Sequence, residues 1–197
     1  MMMQEAMLPP EEQKPFAINS KKFILWLFMV TIVMVFAALT SAYVVRKADG
    51  EWLMFSLPSI FTISTGFILL SSVTIQASYT LLKKGKLYAA KIALIVTLVF
   101  GFIFLYTQLQ GWAALIADNV YFGGASSNPA GSFVYVLSGL HAFHLGTGLI
   151  YMLIVFFMVL GGKINAEKSL QFELCTTYWH FLDLLWIYLF VFLMVNN

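Results

Sequence analysis

The run FILWLFMVTIVMVFAALTSAYVV, residues 23–45, contains no charged residue and is bracketed by Lys21-Lys22 and by Arg46-Lys47. A helix needs about 20 mostly apolar residues to cross the roughly 30 Å hydrocarbon core of a bilayer. The run is long enough, and it is apolar at odd and even positions alike, which disfavours a strand of a membrane β-barrel. It therefore predicts a transmembrane helix at the start of the fold.

Four further runs have the same character, so the sequence predicts an all-α bundle of five transmembrane helices. Pro58 suits the first turn of the second span, and residues 117–131, rich in turn-forming residues, are the one long connection. Residues 1–22 lack a signal-peptide cleavage pattern, so we predict a cytoplasmic tail there and a single transmembrane domain over 23–197. The predicted spans are residues 23–45, 56–82, 88–115, 132–160 and 169–195.

The composition is that of a membrane protein. The chain has 197 residues, of which 61% are hydrophobic and 10% charged, whereas soluble domains carry about 25% charged residues. The net charge of +2 is too small to indicate a nucleic-acid partner. Cys175 is the only cysteine in the sequence, so an intrachain disulfide cannot form.

The distribution of Lys and Arg predicts the orientation, because cytoplasmic loops carry an excess of these residues. With five spans, two basic residues, Arg46 and Lys47, fall on one side and nine on the side of the N-terminus. The nine are Lys14, Lys21, Lys22, Lys83, Lys84, Lys86, Lys91, Lys163 and Lys168. The sequence thus predicts the N-terminus inside and the C-terminus outside.

Ionisable residues within the spans are concentrated in the last two. Such residues are costly at membrane depth and face protein or water rather than lipid. In the fifth span, Glu173, His180 and Asp183 fall within an arc of roughly 120°. In the fourth, His141 and His144 are three residues apart and share a helix face. We predict that these two faces pack together, so that imidazoles and carboxylates satisfy one another.

These five residues are compatible with several kinds of site. A structural polar network that fixes helix packing is one, and a route for protons or ions is another. Haem ligation needs axial histidines from two helices, which His180 with either His141 or His144 would provide. A metal site needs three or four ligands, and the five residues could supply them. Residue spacing alone does not decide among the structural network, the proton or ion route, the haem site and the metal site.

Uncharged polar residues in the second and third spans are predicted to connect helices. Those of the second span are expected to form interhelical hydrogen bonds, and the glutamines of the third to be packing or interfacial residues. The tryptophans are expected in part to be membrane-interface anchors. The polar residues are Ser71, Ser72, Thr74 and Gln76, followed by Gln108 and Gln110.

Two short sequence motifs carry more information as strings of residues than the chemistry of their side chains does. Glu173 is followed five residues later by YWHFLD, residues 178–183, and then by Trp186. Residues 138–144 read SGLHAFH, with Gly148 beyond them. The first string resembles the terminal signature of subunit III of haem-copper oxidases, and the second is similar to that family's Gly-x-His-x-x-His-x-x-x-Gly segment. The likeness covers nearly all of the chain after about residue 23.

The resemblance implies the five-helix bacterial form of subunit III, a multi-pass protein of the bacterial inner membrane. Such a subunit packs beside oxidase subunits I and II, which hold the haem and copper, in a complex that reduces dioxygen to water and pumps protons. It would bind no haem or metal of its own, would bind phospholipid, and would support the stability and proton uptake of the catalytic subunit. A larger respiratory supercomplex is a further partner that the resemblance allows.

One residue departs from the family's pattern. Ile32 stands where many members have a buried Glu in the first span, the carboxylate that reacts with hydrophobic carbodiimides. No other acid lies within residues 23–45. A proton-buffering role based on that carboxylate therefore does not extend to this chain.

Two other functions compete with this interpretation. A haem-b-bearing membrane anchor of a quinone-linked oxidoreductase would require bis-His ligation, and the same-helix spacing of His141 and His144 argues against it. A small transporter would favour inverted repeats or broken helices, and the sequence contains neither. The absorption spectrum of the purified chain separates the haem anchor from a subunit III.

Overall fold

The computed structural model describes residues 19–50, 52–124, 127–166 and 168–196, and it is all-helical over those ranges. Five helices are long and apolar enough to cross a membrane, which confirms the predicted fold class. Residues 1–18 of the predicted tail lie outside the described part of the chain. The helices are α1 Ser20–Ala48, α2 Ile60–Lys83, α3 Leu87–Ala117, α4 Pro129–Leu160 and α5 Leu170–Asn196.

The start of α2 corrects one prediction. Pro58 does not lie in the first turn of the helix, because α2 begins at Ile60 after the N-cap residue Ser59. The carbonyl of Pro58 accepts a hydrogen bond from the Phe61 N–H (3.1 Å). Pro58 thus helps to turn the chain into the helix from outside it.

The start of α4 lies three residues earlier than the sequence predicts, at Pro129 instead of residue 132. The Asn128 side chain caps the helix by accepting a hydrogen bond from the Ala130 N–H (3.0 Å). Asn at the N-cap followed by Pro is a favoured start, since proline lacks the N–H that would be left unpaired in the first turn. The predicted loop is therefore shorter than its composition suggests.

The helices pack as a ring of four with α1 outside it. Neighbours around the ring are α2 and α3, α3 and α4, α4 and α5, and α5 and α2. Helix α1 packs across α4 and α5 and, within the described residues, makes no contact with α2 or α3. Helix α5 consequently has three neighbours, and one strip of its surface lies uncovered between α1 and α2.

Two tryptophans of α5 occupy the centre of the ring. Trp179 and Trp186 are each 1% exposed. Their indole N–H groups donate hydrogen bonds to Ser71 Oγ and Thr65 Oγ1 of α2, both at 2.9 Å. These two are therefore core residues that bind α5 to α2, and not the membrane-interface anchors that the sequence allowed; Trp26 of α1 is exposed.

The outer surface is apolar, as a lipid-facing surface must be. Large hydrophobic side chains are exposed on every helix, among them Met34, Val73, Phe102, Phe143 and Leu184. A bilayer solvates such side chains, whereas water would drive them together. The polar groups of the bundle lie mostly between helices, which is where the candidate site is to be found.

Candidate functional site

His180 is bonded to α2. Its Nδ1 lies 2.6 Å from Ser72 Oγ, and its Nε2 lies 3.1 Å from Gln76 Oε1. Because the Gln76 amide oxygen can only accept, Nε2 of the neutral ring carries the proton and Nδ1 accepts from the Ser72 hydroxyl. Both ring nitrogens are thus used by α2, which confirms the interhelical hydrogen bonds predicted for Ser72 and Gln76.

Asp183 follows His180 by three residues and is buried at the same helix contact. It lies beside Ser72, but neither carboxyl oxygen makes a hydrogen bond with a described residue. His180 and Asp183 are three residues apart but do not bond to each other, since both ring nitrogens bond to α2. A buried polar group without a partner costs free energy, so this contact is polar without being fully satisfied.

Glu173 connects α5 to α1. Its carboxylate forms an ion pair with the Lys22 ammonium group at the start of α1. At the opposite end of the two helices, the Tyr43 hydroxyl donates a hydrogen bond to the Asn196 carbonyl (3.2 Å), and so does the Lys47 ammonium group. Helix α1, which lies outside the ring, is thus held to α5 at both ends.

The histidines of α4 have different surroundings. His141 is fully buried, with ring centroids 5.1 Å from Trp186 and 5.9 Å from Phe104. Neither of its ring nitrogens has a hydrogen-bond partner among the described residues. His144 is half-buried, bonds through Nδ1 to the Leu140 carbonyl (2.7 Å), and lies against Phe36 of α1 at 5.9 Å.

No described hydrogen bond joins these five residues into one network. The predicted pairing of the α4 histidines with the carboxylates of α5 is wrong, because Glu173 meets α1 and both His180 and Asp183 meet α2. The face of α5 that meets α4 is filled by larger groups: Leu182 approaches Gly148, and the Tyr178 hydroxyl lies 3.2 Å from the Thr147 hydroxyl.

Hydroxyl groups of α2 also bond to α3. Thr74 bonds to Thr97 of α3 (2.8 Å), and the buried Gln108 amide donates to Ser64 (3.1 Å). The first confirms the prediction for Thr74, and the second confirms Gln108 as a packing residue. Sequence reasoning missed Thr65 and Lys22. The only available signal for Lys22 was that it and Glu173 each lie near the start of a helix.

The described residues contain no group of three His, Cys, Asp or Glu side chains that could hold a metal ion. His180 has both nitrogens bonded to α2, and His141 is enclosed by Trp186 and Phe104. The side chains of this site hold the helices together through buried hydrogen bonds and aromatic contacts.

Comparison with known proteins decides the family, because cytochrome c oxidase subunit III matches residues 13–196. The chain belongs to this family. The subunit III sequences that it resembles include cytochrome bo(3) ubiquinol oxidase subunit 3 of Pseudomonas aeruginosa, 30% identical over 84% of this chain and 79% of the relative. The corresponding subunit of Buchnera aphidicola from Acyrthosiphon pisum is 28% identical over 91% and 88%. Cytochrome c oxidase subunit 3 of Alkalihalophilus pseudofirmus is 27% identical over 93% and 90%.

Family and fold together confirm the sequence-based function. The chain is a subunit III of a haem-copper oxidase, an oxidoreductase complex, and a multi-pass protein of a bacterial inner membrane. The comparisons give no support to a haem-bearing anchor of a quinone-linked enzyme. Subunit III of this family is one component among several, so the contacts between its helices must be understood as part of a larger assembly.

Proposed function

We propose that this chain is a non-redox subunit that stabilises the catalytic subunit of its oxidase. The oxidase would take electrons from ubiquinol or cytochrome c, the two donors for which the relatives are named. Haem and copper would lie in the partner subunits I and II. The observation that carries the proposal is that the polar side chains of α5 are used to hold helices: Trp179 and His180 bind α2, and Glu173 binds α1.

Purification from native membranes tests this proposal. A tagged copy of the chain is expected to recover the haem- and copper-bearing subunits, and the complex is expected to consume oxygen. The chain separated from them is expected to show no Soret band, because bis-His ligation would need nitrogens that are enclosed or already bonded. A Soret band in the separated chain would overturn the proposal.

The proposed orientation has the N-terminus inside and the C-terminus outside. It is supported by the positions of the basic residues, because Lys83, Lys84 and Lys86 lie at the α2–α3 turn and Arg46 and Lys47 at the end of α1. Cysteines placed at Gly85 and at Gly123 should react with an impermeant reagent from opposite sides of the membrane. Reaction of both from the same side would contradict the five-span orientation.

Bound phospholipid and support of proton uptake are further parts of the proposal. A groove of about 550 Å³ between α1 and α4 is almost wholly apolar and has Arg46 in its lining, which suits an acyl chain and an anionic headgroup. Support of proton uptake would not involve an acid in the middle of α1, where Ile32 is a buried core residue. Lipid analysis of the purified complex, compared with an Arg46→Gln variant, tests the first part.

His180→Ala is expected to weaken assembly more than electron transfer. The substitution removes both hydrogen bonds from the ring to α2, and interhelical bonds of this kind contribute about 0.6 kcal/mol each on average. Retention of subunit III through detergent purification should fall several-fold, while the oxygen-consumption rate of complexes that keep all subunits should stay within about twofold of wild type. Subunit stoichiometry and oxygen consumption measured on the same preparation check both expectations.

Asp183→Ala provides the matching variant at the same contact. Its carboxyl makes no hydrogen bond with a described residue, so its loss is expected to lower retention less than His180→Ala does. Full subunit occupancy with abolished electron transfer, in either variant, would contradict a purely supporting role.

A further inference from the structure

The uncovered strip of α5 forms the floor of a groove between α1 and α2. Both helices pack against α5 but not against each other within the described residues. Along the strip lie Thr177, His180, Leu184, Tyr188 and Val191, which are all half-buried or exposed. A transmembrane helix with its side chains is about 10 Å across, so a strip left bare between two flanking helices can be covered by one.

One wall of this groove presents hydrogen-bond donors to the outside. Gln76 of α2 is exposed, and its amide oxygen already accepts from His180 Nε2. The two N–H groups of the same amide have no acceptor among the described residues. Gln76 lies seven residues before the end of α2 at Lys83, which is about 10 Å along the helix axis. The amide is therefore held at hydrocarbon depth by its bond to His180.

Lipid chains cannot satisfy such a group. An amide without acceptors costs free energy in hydrocarbon, so polar side chains at this depth face protein or enclosed water. The outer side of α4 is different, because its exposed positions are all apolar: Phe143, Ile150, Ile154, Phe157 and Leu160. That side needs only lipid, whereas the groove needs a hydrogen-bond acceptor.

We propose that the groove between α1 and α2 receives a single transmembrane helix of another oxidase subunit. The incoming helix would present a hydrogen-bond acceptor, a hydroxyl, amide or carboxyl oxygen, at the depth of Gln76, and apolar side chains against Leu184 and Tyr188. The inference rests on the proposed function, since it requires that the chain works inside the oxidase complex. It assigns which face of the subunit meets the complex.

Site-specific photocrosslinking in native membranes tests the assignment. A benzophenone amino acid is introduced in place of Val73, which is one turn from Gln76 on the exposed face of α2, and separately in place of Phe143 on α4. The two side chains are equally exposed, at 67%, so they are matched probes. After irradiation, the purified complex is analysed for crosslinked polypeptides by mass spectrometry.

The probe at position 73 is expected to crosslink another oxidase subunit, with a yield at least fivefold above that of the probe at position 143. Crosslinks from position 73 to lipid alone, or to a second copy of this chain, would overturn the inference. If the chain co-purifies with haem subunits while these crosslinks fail, only the docking face is wrong. If the chain does not co-purify with them at all, the proposed function itself fails.

A substitution gives an independent readout. Gln76→Leu removes the outward donors and also the acceptor of the His180 N–H. Loss of the bond to His180 alone should lower subunit III retention about threefold, the factor that corresponds to one average interhelical hydrogen bond, so a partner acceptor is expected to bring the total fall to about eightfold. Val73→Leu changes the same face without changing its polarity, and its retention should match wild type. A fall of about threefold or less in Gln76→Leu would count against a partner acceptor at Gln76.

Discussion

Trp186→Ala is expected to give the largest loss of stability of any single substitution in α5. The indole is buried, lies 5.0 Å from the Phe104 ring and 5.1 Å from the His141 ring, and donates a hydrogen bond to Thr65. Large-to-small substitutions of buried tryptophans cost about 3–5 kcal/mol in soluble cores. Within a bilayer the transfer from water contributes little, but the cavity and the lost contacts remain.

The measurement is the temperature at which subunit III dissociates from the purified complex. Trp26→Ala is the matched control, because that side chain on α1 is 61% exposed and leaves no cavity. Trp186→Phe separates the ring from the N–H group and should lie between wild type and Trp186→Ala. If Trp186→Ala and Trp26→Ala dissociate at the same temperature, Trp186 does not organise the centre of the ring.

The five spans could be predicted because hydrophobic length is a local property of the chain. A span needs about 20 apolar residues in a row, and charged or turn-forming residues separate the five runs. Each span could therefore be recognised from neighbouring residues alone. The helix starts were less predictable. Helix α4 starts at Pro129 because the Asn128 side chain caps it. Helix α2 starts at Ile60, just after Pro58, whose carbonyl accepts a hydrogen bond from Phe61 in the first turn.

The partners of the polar residues could not be predicted, because spacing defines a face of a helix but not its neighbour. The arc of polar residues on α5 was expected to meet α4, yet α5 has three neighbours. Glu173 pairs with Lys22 of α1, whereas His180, only about 20° away around the helix, bonds to Ser72 of α2. The α2 residues were correctly predicted to bond between helices, but nothing local indicated which helix would receive each bond.

The string of residues 178–183 has a common structural role. Tyr178 bonds to Thr147 of α4, whereas Trp179 and His180 bond to Ser71 and Ser72 of α2. Consecutive side chains of a helix point about 100° apart, so three neighbouring residues connect α5 to two different helices within one turn. A motif that first serves to recognise the family thus also explains why α5 holds the centre of the bundle.

Gly101→Ala is expected to destabilise the bundle by about 1–3 kcal/mol, the usual cost of overpacking a core. A methyl group at this position of α3 would lie 2.8 Å from Leu149 Cδ2 and 2.9 Å from Trp179 Cη2. The Leu149 methyl group lies at the end of a flexible side chain, but the indole is rigid and its N–H is bonded to Ser71. Relief of the contact therefore requires α3 and α5 to move apart.

Gly66→Ala is the matched control, since Gly66 also lies within a helix and a methyl group there would meet nothing within 4 Å. Its effect should not exceed about 1 kcal/mol, and the higher helix propensity of alanine makes it favourable. Unfolding in increasing proportions of dodecyl sulfate compares the two variants with wild type in the same complex. Equal unfolding midpoints for Gly101→Ala and Gly66→Ala would contradict the close packing of Gly101 against Trp179. The indole of Trp179 would then not lie at the centre of the helix ring beside α3.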